Sequence, residues 1–152
     1  MLESQPRTRV ELERALARRG IPPDATTAVL DRFVEVGLLD DAAFATAWVD
    51  SRHGGRSLGR RVLAHELRSR GVDTDVIRDA VESVTDDDER SAARALVERR
   101  LRAMTGLPPA ARQRRLMGLL ARKGFGPGLA AAVVREALDA EGGLERGAEG
   151  DV

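Results

Sequence analysis

Leu63-Ala64-His65-Glu66-Leu67-Arg68-Ser69-Arg70-Gly71-Val72 is the stretch on which the fold turns. Leucines four residues apart share one face of an α-helix. Gly71, four residues beyond the second leucine, suits the left-handed position just past a helix C-terminus. Arg70 puts a cation where the helix dipole is negative. The same spelling recurs as Leu12, Leu16, Arg19, Gly20, Ile21 and as Leu116, Leu120, Lys123, Gly124, Phe125, with the glycines 51 and 53 residues apart. A period of that size is the signature of a repeated supersecondary unit.

A second helix is expected after each glycine. Pro22-Pro23-Asp24, Asp73-Thr74-Asp75 and Gly126-Pro127 all read as helix starts. These helices offer Val29, Leu30, Phe33 and Val34; Val76, Ile77, Val81 and Val84; and Leu129, Val133, Val134 and Leu138 to a core. Gly37 closes the first of them, and Leu38-Leu39-Asp40-Asp41 leads into a third helix over Ala42–Ser51. Asp86-Asp87-Asp88-Glu89 opens a comparable helix that runs to about Leu101, and the last repeat lacks this part. The expected fold class is all-α, in tandem three-helix, three-helix and two-helix units over residues 8–52, 57–104 and 108–141. Linkers are expected near His53–Ser57 and Thr105–Ala111, and residues 142–152 as an acidic, glycine-rich, disordered tail.

Composition supports helix over strand. Hydrophobic residues make up 42% of the 152-residue chain and aromatics only 3%, so any core rests on Leu, Val and Ala. The chain has no cysteine, which removes disulfides and thiolate metal sites. No apolar run approaches the roughly 20 residues that span a bilayer, and the N-terminus is polar, so a cytoplasmic location is expected.

Chemistry finds little purchase. His53 and His65 lack ligand spacing and read as solvated polar residues, so no metal site is expected. Gly54-Gly55-Arg56-Ser57-Leu58-Gly59-Arg60-Arg61 resembles a phosphate loop but lacks the Lys-Ser/Thr pair and the preceding strand, so no nucleotide cofactor is expected. Asp40-Asp41 sits where a helix begins and reads as a cap. Phe44 and Trp48, at i,i+4, read as core rather than as a platform for bases. No nucleophile–base set is visible, so no catalytic residues are expected and the chain is read as a non-enzyme.

The charges carry more. The formal net charge is zero, yet six arginines stand against one acid between Arg52 and Arg70, and eight basic residues stand without an acid between Arg99 and Lys123. On a helical wheel Arg61, His65 and Arg68 lie opposite Val62, Leu63 and Leu67, and Arg115 and Arg122 lie opposite Leu116, Leu119 and Leu120. Solvation explains most charged stripes, but these have almost no compensating acids. Arg52, Arg56, Arg60, Arg61, Arg68, Arg115 and Arg122 are therefore expected to meet an acidic or phosphate-bearing partner.

Gly37-Leu38-Leu39-Asp40-Asp41-Ala42-Ala43-Phe44-Ala45-Thr46-Ala47-Trp48-Val49-Asp50-Ser51-Arg52, then Gly59-Arg60-Arg61-Val62-Leu63-Ala64-His65-Glu66-Leu67-Arg68-Ser69-Arg70-Gly71, then Arg122-Lys123-Gly124-Phe125 resemble the RecX family, bacterial modulators of the RecA recombinase. The resemblance covers roughly Val10 to Leu138. It implies an elongated, curved array of three-helix modules lying in the groove of the RecA–DNA filament. It also implies inhibition of ATP hydrolysis and strand exchange, without chemistry of its own, by a monomer whose basic helix faces touch DNA. The alternative is a DNA-binding protein of helix-turn-helix-like units that acts without RecA. Asp24–Val36 and Asp75–Val84 are acidic or neutral, which counts against sequence reading by those helices.

Overall fold

The computed structural model describes residues 7–149, which form α-helices joined by short turns, with no strand among the described residues. In chain order they are α1 (Arg9–Arg18), α2 (Pro23–Glu35), α3 (Asp41–Arg56), α4 (Arg60–Ser69), α5 (Thr74–Glu82), α6 (Asp86–Ala103), α7 (Pro109–Arg122) and α8 (Pro127–Glu149). Two compact units result. The first takes its described residues from Met1–Ser51 and Leu63–Ser83, the second from Arg52–Val62 and Val84–Val152.

The three glycines of the repeat end their helices in one way. Gly20, Gly71 and Gly124 have φ of 80°, 84° and 94°, conformations that only glycine adopts freely. In each case the next residue donates back to a leucine carbonyl: Ile21 to Leu16, Val72 to Leu67 and Phe125 to Leu120, at 3.0–3.1 Å. This is the Schellman closure that the spacing predicts.

In the first unit the core is made by Leu30, Leu39, Ala45, Val49, Leu63, Leu67, Val72, Ile77 and Ala80. Thr8 begins α1 with a capping box: its hydroxyl accepts from the Glu11 amide while Glu11 Oε1 accepts from the Thr8 amide. Asp40 caps α3 by accepting from Ala43 N at 3.0 Å, and Asp41 accepts from Arg9 N, also at 3.0 Å.

In the second unit α6, α7 and α8 close around one cluster. Ala93, Leu96, Val97 and Leu101 of α6 meet Leu116, Leu119 and Leu120 of α7, Phe125, and Ala130, Val133 and Val134 of α8. The glycine spacing groups α6 with α4 and α5. The packing groups it with α7 and α8, because that is where the apolar stripe of α6 is buried.

Four further expectations differ from the structure. The expected linker near His53–Ser57 is mostly helix, since α3 runs through Gly54 and Gly55 to Arg56. Two glycines cost about 1 kcal/mol each in a helix but do not stop one. The stop comes at Ser57, whose φ is 54°, and His53 Nδ1 lies 2.8 Å from the Leu58 carbonyl oxygen. The tail expected from residue 142 is likewise helical in its backbone to Glu149, for the same reason, and its last three residues lie outside the described ones. Phe44 and Trp48 are half-buried rather than core, because the neighbouring stripe of Ala45 and Val49 faces inward. In α2 only Leu30 and Thr26 are buried, while Val29, Phe33 and Val34 are exposed.

Candidate partner-binding surface

Each arginine singled out by charge pattern takes a distinct place. In the first unit Arg68 is exposed on α4. In the second unit Arg56, Arg61, Arg115 and Arg122 are exposed, whereas Arg52 and Arg60 are half-buried.

Arg60 is held by acids of α6. Its Nε donates to Glu89 Oε1 at 2.8 Å, its backbone N–H donates to Glu89 Oε2 at 3.1 Å, and its Nη2 pairs with Asp86. Glu89 is buried, so this arginine neutralises a carboxylate that water does not reach. Burial works against the charged guanidinium, but the bonds from Glu89 and Asp86 outweigh it and hold the Arg60 pKa above its ordinary value. Arg60 ties the first residue of α4 to the first turn of α6 and has little left for a partner. Its neighbour Arg61 is different. No ion pair engages it among the described residues, and its guanidinium lies over Gly126, whose Cβ, if present, would stand 3.6 Å from Nη2.

The stretch from Arg99 to Lys123 keeps its charge. Of its eight basic residues only Arg112 forms an ion pair among the described residues, with Glu141 at 2.6 Å. Arg99, Arg100, Arg102, Arg114, Arg115 and Arg122 are exposed around the end of α6 and along α7. Arg122 folds back along its helix over Gly118. By contrast Arg90 and Arg94, earlier on α6, both reach Glu136 of α8, at 3.6 and 3.4 Å. The second unit therefore pairs Arg90, Arg94 and Arg112 with acids and leaves Arg99, Arg100, Arg102, Arg114, Arg115 and Arg122 without an ion pair among the described residues. Arg99, Arg100, Arg102 and Arg114 were not among the expected contact residues, although the absence of acids from that run was the signal that could have found them.

Reasoning from spacing also missed two backbone junctions. Gly59 N–H donates to the Lys123 carbonyl at 2.6 Å, and a Cβ on Gly59 would stand 2.5 Å from the Gly124 oxygen. A Cβ on Gly124 would in turn meet Val62 N at 2.6 Å. In the first unit a Cβ on Gly71 would meet Val10 Cβ at 2.5 Å, and Thr8 Oγ1 donates to the Arg70 carbonyl at 2.6 Å. Gly71 and Gly124 end a helix and also admit the start of another, and Gly59 leads into α4.

Beside that second junction lies a polar and aromatic cluster. Arg70 binds Glu11 through Nε and Nη2 at 3.1 and 3.0 Å, and its guanidinium stands 5.0 Å from the Phe44 centroid and 4.8 Å from that of Trp48. The two rings are stacked at 5.7 Å, and Trp48 Nε1 donates to Glu66 at 3.0 Å. Burial works to raise the Glu11 carboxyl, but bonds from Arg70 and Thr8 prevail and its pKa lies below the ordinary value.

An open cleft of about 520 Å³ in the second unit is lined by Arg60, Arg61, Asp86, Glu89 and Arg90 with glycine backbone. It offers charge but no hydroxyl, thiol, imidazole or amine that could act as a nucleophile. No group of three or more potential metal-ligating side chains occurs among the described residues.

Helices in repeated units, tied by glycine junctions and bearing a run of exposed arginines, define a tandem helical-repeat protein. RecX domain models match the chain in series: the first three-helix domain at residues 1–33, the second at 40–81 and the third at 87–134. The chain is 58% identical over 142 residues to the regulatory protein RecX of Thermobifida fusca, covering 93% of this chain and 77% of that protein. It is 53% identical over 142 residues to the regulatory protein RecX of Streptomyces coelicolor, covering 93% and 76%. The crystal structure of RecX from Lactobacillus salivarius superposes with a TM-score of 0.83 at 23% identity, over 89% of this chain and 88% of that one, a likeness of fold. This chain belongs to the RecX family.

Proposed function

We propose that this chain is a non-enzymatic regulator that binds the RecA recombinase filament in its groove and inhibits ATP hydrolysis and strand exchange, so modulating homologous recombination. The observation that carries the reading, beside the family, is the run from Arg99 at the end of α6 to Lys123 after α7, which contains no acid and in which only Arg112 forms an ion pair among the described residues. An array of unpaired guanidinium groups suits a filament groove lined by carboxylates and DNA phosphates. Arg61, Arg115 and Arg122 are the contacts best supported, followed by Arg56 and Arg68. Arg52 stands half-buried, and Arg60 acts by orienting its neighbours. No helix among the described residues is long and apolar enough to cross a membrane, in keeping with action on a cytoplasmic filament.

Titration of this protein into RecA turning over ATP on single-stranded DNA tests the reading. Inhibition that rises with concentration supports it. An unchanged rate with a folded protein sinks it. DNA binding without RecA is the lesser reading, since α2 and α5 carry no row of base-reading side chains. A gel shift on duplex DNA free of RecA separates the two.

A further inference from the structure

The sign of the charge reverses along the second unit. From Arg99 to Lys123 stand eight basic residues and no acid, and from Glu136 to Val152 stand six acids and one arginine. Among the described residues the two runs meet at one ion pair. Arg112, near the start of α7, donates through Nη1 to Glu141 Oε2 of α8 at 2.6 Å. Its side chains are 18% and 35% exposed, so salt screens it less than it screens the more open pairs of Glu136 with Arg90 and Arg94.

This clasp is incomplete. Arg112 Nε is buried and meets no acceptor among the described residues, and a buried donor left unmade is costly. Turned outward, the same guanidinium can offer Nε and an Nη nitrogen together to a phosphate, the two-pronged geometry in which arginine binds best. Arg115 lies three residues on, next to Arg112 on the helix surface, and is exposed with no ion pair among the described residues. A released Arg112 would extend the row that Arg115 and Arg122 form along α7.

We propose that Glu141 is an internal competitor for Arg112, withholding it from an anionic partner until DNA phosphates displace the carboxylate, given the role proposed above for the arginines of α7. Because the competitor belongs to the same chain, it acts at a high effective concentration that does not change with dilution. The affinity of the basic surface is thereby set from within the protein.

Fluorescence anisotropy of a labelled single-stranded oligodeoxynucleotide, without recombinase, reads the competition. Glu141→Gln should bind about three- to five-fold more tightly than wild type, the worth of one partly shielded ion pair. Asp139→Asn removes the same charge from an exposed position on α8 and should change affinity by less than about 1.5-fold, since a surface charge without a partner is screened. Arg112→Gln with Glu141→Gln should lose the gain, because the arginine that Glu141 restrains is gone. In the wild type, the carbon-13 resonance of the Glu141 carboxyl should shift as DNA saturates the protein, a readout that requires no variant to fold. A Glu141→Gln protein that melts lower yet binds as wild type shows a structural staple and overturns the proposal. So does a gain equalled by Asp139→Asn or kept without Arg112, and so does a Glu141 resonance that DNA leaves unmoved. A wild type that binds no oligonucleotide also overturns it, while inhibition of the recombinase by that same protein would leave the regulatory reading standing.

Discussion

Trp48 is the residue whose environment differs most from a reading by hydrophobicity. Its ring is held at the edge of the first core, stacked on Phe44, covered by Arg70 and anchored through Nε1 to Glu66. Trp48→Ala should cost about 2–3 kcal/mol, below the usual loss for a fully buried ring. Trp48→Phe should cost only about 1 kcal/mol, the worth of the hydrogen bond. Chemical denaturation followed by circular dichroism distinguishes these values. Glu11 gives a pH signature. Its carboxyl pKa is depressed in the folded state, so its stabilisation is complete above the ordinary carboxylate value and is lost as pH falls through the folded value. Glu11→Gln should therefore flatten the loss of melting temperature below about pH 4. An acid limb as steep as wild type would show that the bond to Arg70 contributes nothing. Arg60→Ala strands a buried carboxylate and should cost about 2–3 kcal/mol, less than a fully buried pair because Arg60 is 35% exposed. Adding Glu89→Leu should recover most of that loss.

At the scale of the element, helix ends are where the repeat does its joining. Gly20, Gly71 and Gly124 share a conformation but not surroundings, which makes their alanine variants a graded series. Gly20→Ala meets no atom and should cost only the left-handed backbone term, about 1–2 kcal/mol. Gly71→Ala and Gly124→Ala add contacts of 2.5 and 2.6 Å, and should each cost at least about 1 kcal/mol more. Equal melting temperatures for all three would show that the junctions are soft. Helix starts differ in kind from these ends. Thr8 and Thr85 both build capping boxes, and backbone and side-chain bonds at Thr85 hold the Asp88 pKa below its ordinary value.

For the molecule as a whole, a net charge of zero conceals the separation that matters. Glu136 and Glu141 of α8 and Asp86 and Glu89 of α6 pair with Arg60, Arg90, Arg94 and Arg112, while Arg56, Arg61, Arg99, Arg100, Arg102, Arg114, Arg115 and Arg122 are exposed. Replacing Arg115 and Arg122 with Glu should leave the melting curve within about 0.5 kcal/mol of wild type, since neither residue touches the core. The same variant should inhibit the recombinase far less. Wild-type binding should weaken steeply with salt, because surface charge is screened over about 8 Å at physiological ionic strength. Full inhibition by the folded variant would reduce this surface to a solvated one.

Helix positions were legible because they depend on local terms. Leucine spacing, the left-handed glycines and the capping residues act within a few residues of chain, and each predicts its own helix end. The RecX resemblance was legible too, carried by Leu38-Leu39-Asp40-Asp41, Phe44 and Trp48. The run of basic residues without acids between Arg99 and Lys123 is itself a sequence mark of the exposed arginines. Which arginines remain available was not legible: Arg60 and Arg61 are adjacent in the chain, yet one neutralises buried Glu89, 29 residues away, and the other stays unpaired. The grouping of α6 with α7 and α8, the exposure of Val29 and Phe33, and the second duty of Gly59 and Gly124 share that origin. Each depends on which surfaces meet after folding, and such contacts join residues whose separation along the chain carries no local signal.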